Sequence, residues 1–438
     1  MPKLLKRLLE NKRIFSFEKS RALLKDTSGS ALMLALFTVT LLLVIAMEIV
    51  YESNVEYLVS ANSVNEVKAY YAAQAGARIS LLRIEIYKKI VAAAGSALPD
   101  KSMLDLIWNT PFIWPPVAAP DLNAVDKDAL KKTVKESLMK SSFMATISSE
   151  GAKIDINDLD SPSSVIRKAT HVLLVQMFKS KLENDEKFAK NYRSFDFERL
   201  VNHIQDFISA GNESVDGGDK RGAYPNHGPN DNIPPDRPMI SLSELHMVAD
   251  MNDELYDIIA PRLTVFGAKG VNVNYASAEV IQSLDPHITA EMAQKVIGRR
   301  NDPNLGPFKD MNDFVSFLNE LGMPGNPFVE GSGNQEKVKV PLLFDAEINF
   351  KIESIGTAGK VQKKITAIVY DFDRVKKRLS DQLKQEATVA GAPVGAVTGD
   401  GLPGGPTGAA AGAPNPPAAA ATPVPPPGQP AIVSWTEE

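Results

Sequence analysis

The sequence predicts an α+β fold: one long N-terminal helix and an antiparallel sheet, with a large helical insertion between the sheet's strands. Three observations carry this prediction. An uncharged run, Ala31 to Met47, passes without a proline into a stretch rich in alanine, leucine and glutamate that reaches Ala92. Alternating apolar and polar residues recur at two distant places, 143–159 and 344–370. Between them, residues 161–330 show helical spacing and helix-start signals. With 438 residues, the chain is long enough for two or three folded units with a sizeable core.

The first element is an anchor. Residues 1–29 hold eight basic side chains against three acidic ones, a local charge of +5. The apolar run after them extends to Val50, and about 20 helical residues cross a hydrocarbon core of roughly 30 Å. Residues 30–50 are therefore read as a transmembrane segment. The basic flank keeps 1–29 in the cytoplasm and puts the bulk of the chain outside. Beyond Tyr51 the helix is expected to continue to about Val91, with Val55, Leu58, Val59, Ala69, Tyr70, Ala73, Ile79, Leu82 and Ile86 on one buried face.

Residues 51–160 should hold this outer helix and the first strands. Phe143 to Leu159 reads as a hairpin turning at Glu150-Gly151. The helical insertion occupies 161–330, with amphipathic helices at Val165 to Phe178 and Phe197 to Ile208. Ser241 with Glu244 three residues on forms a capping box. Residues 331–375 bring the last strands, Phe344 to Ser354 and Gln362 to Tyr370, joined through Gly356 to Gly359. Residues 385–438 are expected to be a disordered tail, since from Ala387 to Pro430 little but Pro, Ala, Gly, Thr and Val remains.

Composition excludes several functions. Without cysteine there is no disulfide, thiolate nucleophile or Cys-ligated metal. A net charge of −5 argues against a whole-protein attraction to nucleic acid. His171, His203, His227, His246 and His287 are scattered, and no HExxH, G-x-S-x-G or Walker A pattern occurs. The chain is read as non-enzymatic. Trp108 and Trp114, among Pro111, Pro115 and Pro116, read as a packed loop.

A basic leader, Gly29, Ser30 and an uninterrupted apolar run resemble the class III signal of type IV pilins and type II secretion pseudopilins. The resemblance implies a pilin-like fold, cleavage by prepilin peptidase between Gly29 and Ser30, and methylation of the new N-terminus. Most members carry glutamate at the fifth mature position, where this chain has Leu34. That substitution, the block AYYAAQAGARISLL at 69–82, the Ile154 to Asn157 run and Ser241 to Val248 are similar to the minor pseudopilin K family. Similarity to that family implies a tip subunit of the type II secretion pseudopilus in the bacterial inner membrane, helping export folded proteins across the outer membrane. Its expected partners are the I and J subunits.

Two further segments carry candidate sites. The acidic loop at 206–219 offers Asp206, Asn212, Glu213, Asp216 and Asp219 as oxygen donors for calcium. K proteins bind calcium at an acidic loop here, although one of their aspartates is Ser209 in this chain. A solvated acidic turn is the plainer alternative. Residues 271–318 resemble helix-hairpin-helix DNA-binding modules, which raises an alternative role as a pilin-like DNA-uptake component. The place of the phosphate-binding glycines reads Leu284-Asp285-Pro286-His287-Ile288, and only Lys295, Arg299 and Arg300 are basic nearby.

Overall fold

The computed structural model describes residues 28–94, 102–116, 124–225, 231–323, 340–389 and 431–438. Most of the expected leader (1–27) and of the expected tail (390–430) lies outside the described residues. Helix α1 spans Ser28–Ala94. Next come α2 (Ser102–Asn109), β1 (Phe112–Trp114), α3 (Ala124–Glu136), β2 (Ser142–Ser149) and the short β3 (Ile154–Asp155). The insertion then runs through α4 (Ser164–Asn184), α5 (Glu186–Tyr192), α6 (Phe197–Ile208), α7 (Asp253–Ile259), β4 (Leu263–Thr264) and β5 (Val271–Asn272). It continues with α8 (Ala278–Ser283), α9 (Ala290–Arg300), α10 (Met311–Glu320) and β6 (Leu342–Leu343). Strands β7 (Phe350–Ala358) and β8 (Val361–Tyr370), helix α11 (Phe372–Val389) and strand β9 (Ala431–Glu437) complete the chain.

The expected α+β architecture is present. One sheet has the order β1-β2-β7-β8-β9, and β1 with β2, β2 with β7, and β8 with β9 pair antiparallel. Strands β2 and β7 are neighbours in space although the whole insertion separates them in sequence. Their register places Ile147 opposite Ile352 and Phe143 opposite Gly356. β3 pairs in parallel with β4 of the insertion, and β5 pairs in parallel with β6.

The chain divides into two units, Met1–Lys68 with Gly359–Val361, and Ala69–Ala358 with Gln362–Glu438. In the first, the described helical residues from Leu32 to Val50 expose every apolar side chain. The second holds the cores. Ala73, Ala77, Ile84 and Tyr87 from α1 pack with Trp108, Ile147, Phe350, Ile352, Ile365, Ala367 and Val369. A larger core fills the insertion, around Leu174, Phe178, Leu200, Ile204, Phe207, Leu255, Val280, Phe308 and Phe314.

Several expectations are corrected. Residues 143–159 are no hairpin: β2 pairs with β7, the Glu150 and Gly151 amides both donate to the Asn349 carbonyl, and Ile156–Asp160 coils into a 3-10 turn. Local alternation could not reveal that the partner strand lies beyond residue 349. The single buried helix face is also wrong. Ala69 and Ala73 are buried, but Val55, Leu58, Val59, Leu82 and Ile86 are exposed, and the large α1 side chains that do reach the sheet core are Ile84 and Tyr87. The tail reading fails at both ends, since α11 runs to Val389 and β9 occupies 431–437. Trp108 lies buried on α2 and Trp114 on β1, where a loop was expected.

Candidate assembly surface and acidic loop

Helix α1 provides the apolar surface. Its backbone groups are satisfied within the helix, and the Thr38 and Thr40 hydroxyls donate back to the Ala35 and Leu36 carbonyls, so the run offers lipid no unpaired hydroxyl donor. It is one helix long and apolar enough to cross a membrane. Leu34 is 68% exposed, and Gly29 and Ser30 fall in the first turn of α1.

From Ala69 onward the helix has two faces. Ala69, Ala72, Ala73, Gly76, Ala77 and Ser80 recur at three- and four-residue spacing and lie buried against the sheet. Such small residues let the backbones approach closely: a Cβ added to Gly76 would stand 2.7 Å from a Phe143 ring carbon. The opposite face leaves Tyr71, Leu82 and Ile86 exposed at the spacing of one stripe.

Polar contacts fix this seat. The Arg83 guanidinium donates to the Ile107 carbonyl at 2.6 Å and the Thr110 carbonyl at 2.7 Å. Lys88 pairs with Asp371 at 3.1 Å, with both side chains largely buried. The Asp105 carboxylate accepts from the Tyr87 hydroxyl, the Trp108 indole and the Tyr275 hydroxyl, at 2.8–3.1 Å. It thus ties α1, α2 and the insertion together. Burial raises the Tyr275 phenol well above its ordinary range, so it stays a neutral donor. A groove of about 730 Å³ opens beside this hub, lined by Trp108, Asn274, Tyr275 and Arg300 among others. Its Arg300 is spent on the Val273 and Ala276 carbonyls at 2.7 and 2.8 Å.

The acidic loop does not present a calcium-ready set. The two Asp206 carboxylate oxygens accept from the Ser214 hydroxyl at 2.6 Å and the Val215 amide at 2.8 Å. Asp216 accepts from the Asn202 amide group, and Asp219 caps the Arg221 amide. Asn212 and Glu213 are exposed, and Glu213 meets Asp219 only through a backbone bridge. Among the described residues no group of three acidic or histidine side chains is placed to hold a metal. The cation in this loop is instead the buried Lys220 ammonium, which donates to the Asp206 and Ser209 carbonyls at 3.0 and 2.7 Å and lies 2.7 Å from Asp236. Nothing in the local sequence distinguishes Lys220 from an ordinary surface lysine. Calcium addition or chelation is accordingly expected to leave the thermal midpoint unchanged. Lys220→Met should cost about 1–3 kcal/mol, because buried acceptors lose their donor; calorimetry with and without EGTA checks both.

Residues 271–318 fold as α8, α9 and α10, but Lys295, Arg299 and Arg300 are engaged. Lys295 pairs with Glu291 at 2.7 Å, and Arg299 pairs with Asp313 at 3.0 Å while stacking 4.4 Å over the Phe308 ring. Asp285 accepts from the backbone and ring of His287, where a phosphate-binding hairpin would need free amides.

Residues 271–338 match the family model for the type II secretion system (T2SS) protein K. Over this segment the chain is similar to the protein K family. The match falls on the segment that also resembles a DNA-binding hairpin. A solved structure of the GspK-GspI-GspJ complex from the enterotoxigenic Escherichia coli type 2 secretion system holds a chain similar to this one. The two are 12% identical with a TM-score of 0.44, over 72% of this chain and 95% of that one. No curated protein matches the chain significantly.

Proposed function

We propose that this chain belongs to the protein K family and is a non-enzymatic minor pseudopilin that sits at the tip of the type II secretion pseudopilus and assists export of folded proteins across the outer membrane. One observation carries the reading: a single helix, Ser28–Ala94, is apolar and exposed over Leu32 to Val50 and seated by small residues on a sheet from Ala69 onward. An apolar span suits lipid, and a helix seated on a folded head suits a fibre subunit rather than a catalyst. The basic leader favours a cytoplasmic N-terminus and a periplasmic head in the inner membrane. Leu34 supports the tip position, since a fifth-position carboxylate with no neighbour to neutralise it would be costly in lipid.

In this reading the exposed stripe of Tyr71, Leu82 and Ile86 meets the helices of the I and J subunits. Co-expression with those subunits should give a complex that copurifies. Tyr71→Asp combined with Leu82→Asp should abolish capture while leaving the unfolding midpoint in place. Intact mass of the membrane form should begin at N-methylated Ser30. Retention of residues 1–29 would remove the processing step, and undiminished capture by the double variant would remove the helix as the assembly surface.

A further inference from the structure

The sheet ends on a strand that is not built like the others. β8 is a core strand, with Ile365, Ala367 and Val369 fully buried, and among the described residues its outer edge is paired only with β9. The β9 register runs from Ala431 opposite Tyr370 to Glu437 opposite Ile365, and the Lys364 and Glu438 backbones exchange two hydrogen bonds of 2.9 Å. Yet no β9 residue is buried, and Ile432 is 45% exposed. Its side-chain anchorage consists of Trp435, half-buried on the sheet core, and Glu437, whose carboxylate accepts from the Trp435 indole at 2.8 Å and the Tyr70 hydroxyl at 3.1 Å. β9 is also no hairpin partner of β8. Helix α11 and the whole of residues 390–430 intervene, whereas β7 reaches β8 through Gly359-Lys360 alone.

A strand held mainly by its backbone and attached only through a distant segment behaves as a ligand for the edge it covers. Main-chain bonds supply affinity in such strand addition, and alternate side chains supply choice. An uncovered edge of the same kind pairs with other chains. We propose that the outer edge of β8, with Tyr70 beside it, is a strand-binding site whose ligand is this chain's own segment of residues 431–438. Bound in cis, the octapeptide keeps the β8 edge from pairing with a second polypeptide. The same octapeptide from a second copy fits the site equally well, so a chain that loses its own strand recruits another's. The strand site is independent of the proposed secretion role and concerns only the sheet.

The test compares the full chain with a variant ending at Val389, using a fluorescent synthetic peptide of residues 431–438. The shortened chain should bind the peptide saturably. The full chain should bind it at least about tenfold more weakly, because a tethered competitor has a high effective concentration. Hydrogen exchange at Lys364 and its β8 neighbours should accelerate in the shortened chain and return to the full-chain rate on adding peptide. Near-ultraviolet circular dichroism from Trp108 confirms folding. If the shortened chain does not fold, full-length Trp435→Gly takes its place and should admit peptide that the wild type excludes. Absence of peptide binding by a folded variant, or unchanged β8 exchange without β9, overturns the proposal.

Discussion

Lys269→Met is expected to destabilise the folded head by about 3–5 kcal/mol, the range for a buried ion pair that loses one partner. The Lys269 ammonium lies 2.9 Å from Asp155 and 2.6 Å from Asp158, both nearly inaccessible. Burial alone would pull the ammonium below its ordinary range, but the two carboxylates outweigh it and hold Lys269 above that range. Without the lysine, two buried carboxyl groups are left without a cation beside a small cavity of about 20 Å³ lined by Ile166 and Leu173, and burial raises the Asp158 carboxyl further toward its protonated form. Asp155 keeps the Asn157 amide at 3.1 Å and the Gly267 amide at 3.3 Å, whereas among the described residues the Asp158 carboxylate takes its hydrogen bond from Lys269 alone. A second change, Asp158→Asn, should therefore restore a large part of the loss. Urea unfolding of the detergent-solubilised chain reads both effects. A Lys269→Met midpoint within about 0.5 kcal/mol of wild type, the ordinary scatter of surface substitutions, would show that the cluster does not hold β3 and the insertion together.

How much could be read from the residues depends on how local each signal is. The long apolar helix was legible because length and apolarity alone decide it, and α6 begins and ends where its spacing predicts, at Phe197 and Ile208. The capping box at Ser241 is formed too, although the turn it starts, Leu242–Met247, is 3-10. Legibility failed where the partner is remote. β2 takes β7 across the whole insertion, and the Asp155, Asp158 and Lys269 cluster joins residues more than a hundred positions apart. The acidic loop shows the same limit: its carboxylates were visible, but the ammonium among its carbonyls was not. β9 was hidden by its neighbours, since a composition dominated by Pro, Ala and Gly masks an alternating octapeptide at its end. The helix face was misjudged for a physical reason. One face was taken to bury Ala69 and Ala73 together with Leu82 and Ile86, whereas the close approach of two backbones buries the alanines and Gly76, and the large side chains that are buried are Ile84 and Tyr87.

That close approach makes Gly356→Ala the second large effect. Gly356 lies inside β7, opposite Phe143, and a Cβ there would run into the Ala69 carbonyl oxygen and the Ala73 amide nitrogen of α1. Both obstacles are main chain, so no side-chain rotation relieves the clash; either α1 lifts from the sheet or β7 buckles. Overpacking of this kind typically costs about 1–3 kcal/mol, occasionally more, and a rigid backbone on both sides sets the expectation at the upper end, about 3 kcal/mol. Gly298→Ala supplies the control, since a Cβ at that helical position meets nothing within 4 Å and alanine favours helix. In the Gly356 variant the amides of residues 69–91 should exchange faster while those of the insertion core keep their protection, because the clash unseats the helix and leaves the Phe178 and Phe207 cluster untouched. Unchanged protection of α1 would mean that the sheet tolerates the extra carbon and that the small-residue seat is not what fixes the helix. Loss of protection confined to 69–91, together with loss of capture of the I and J subunits, would show that the seat holding the helix on the sheet is also what presents Tyr71, Leu82 and Ile86 for assembly.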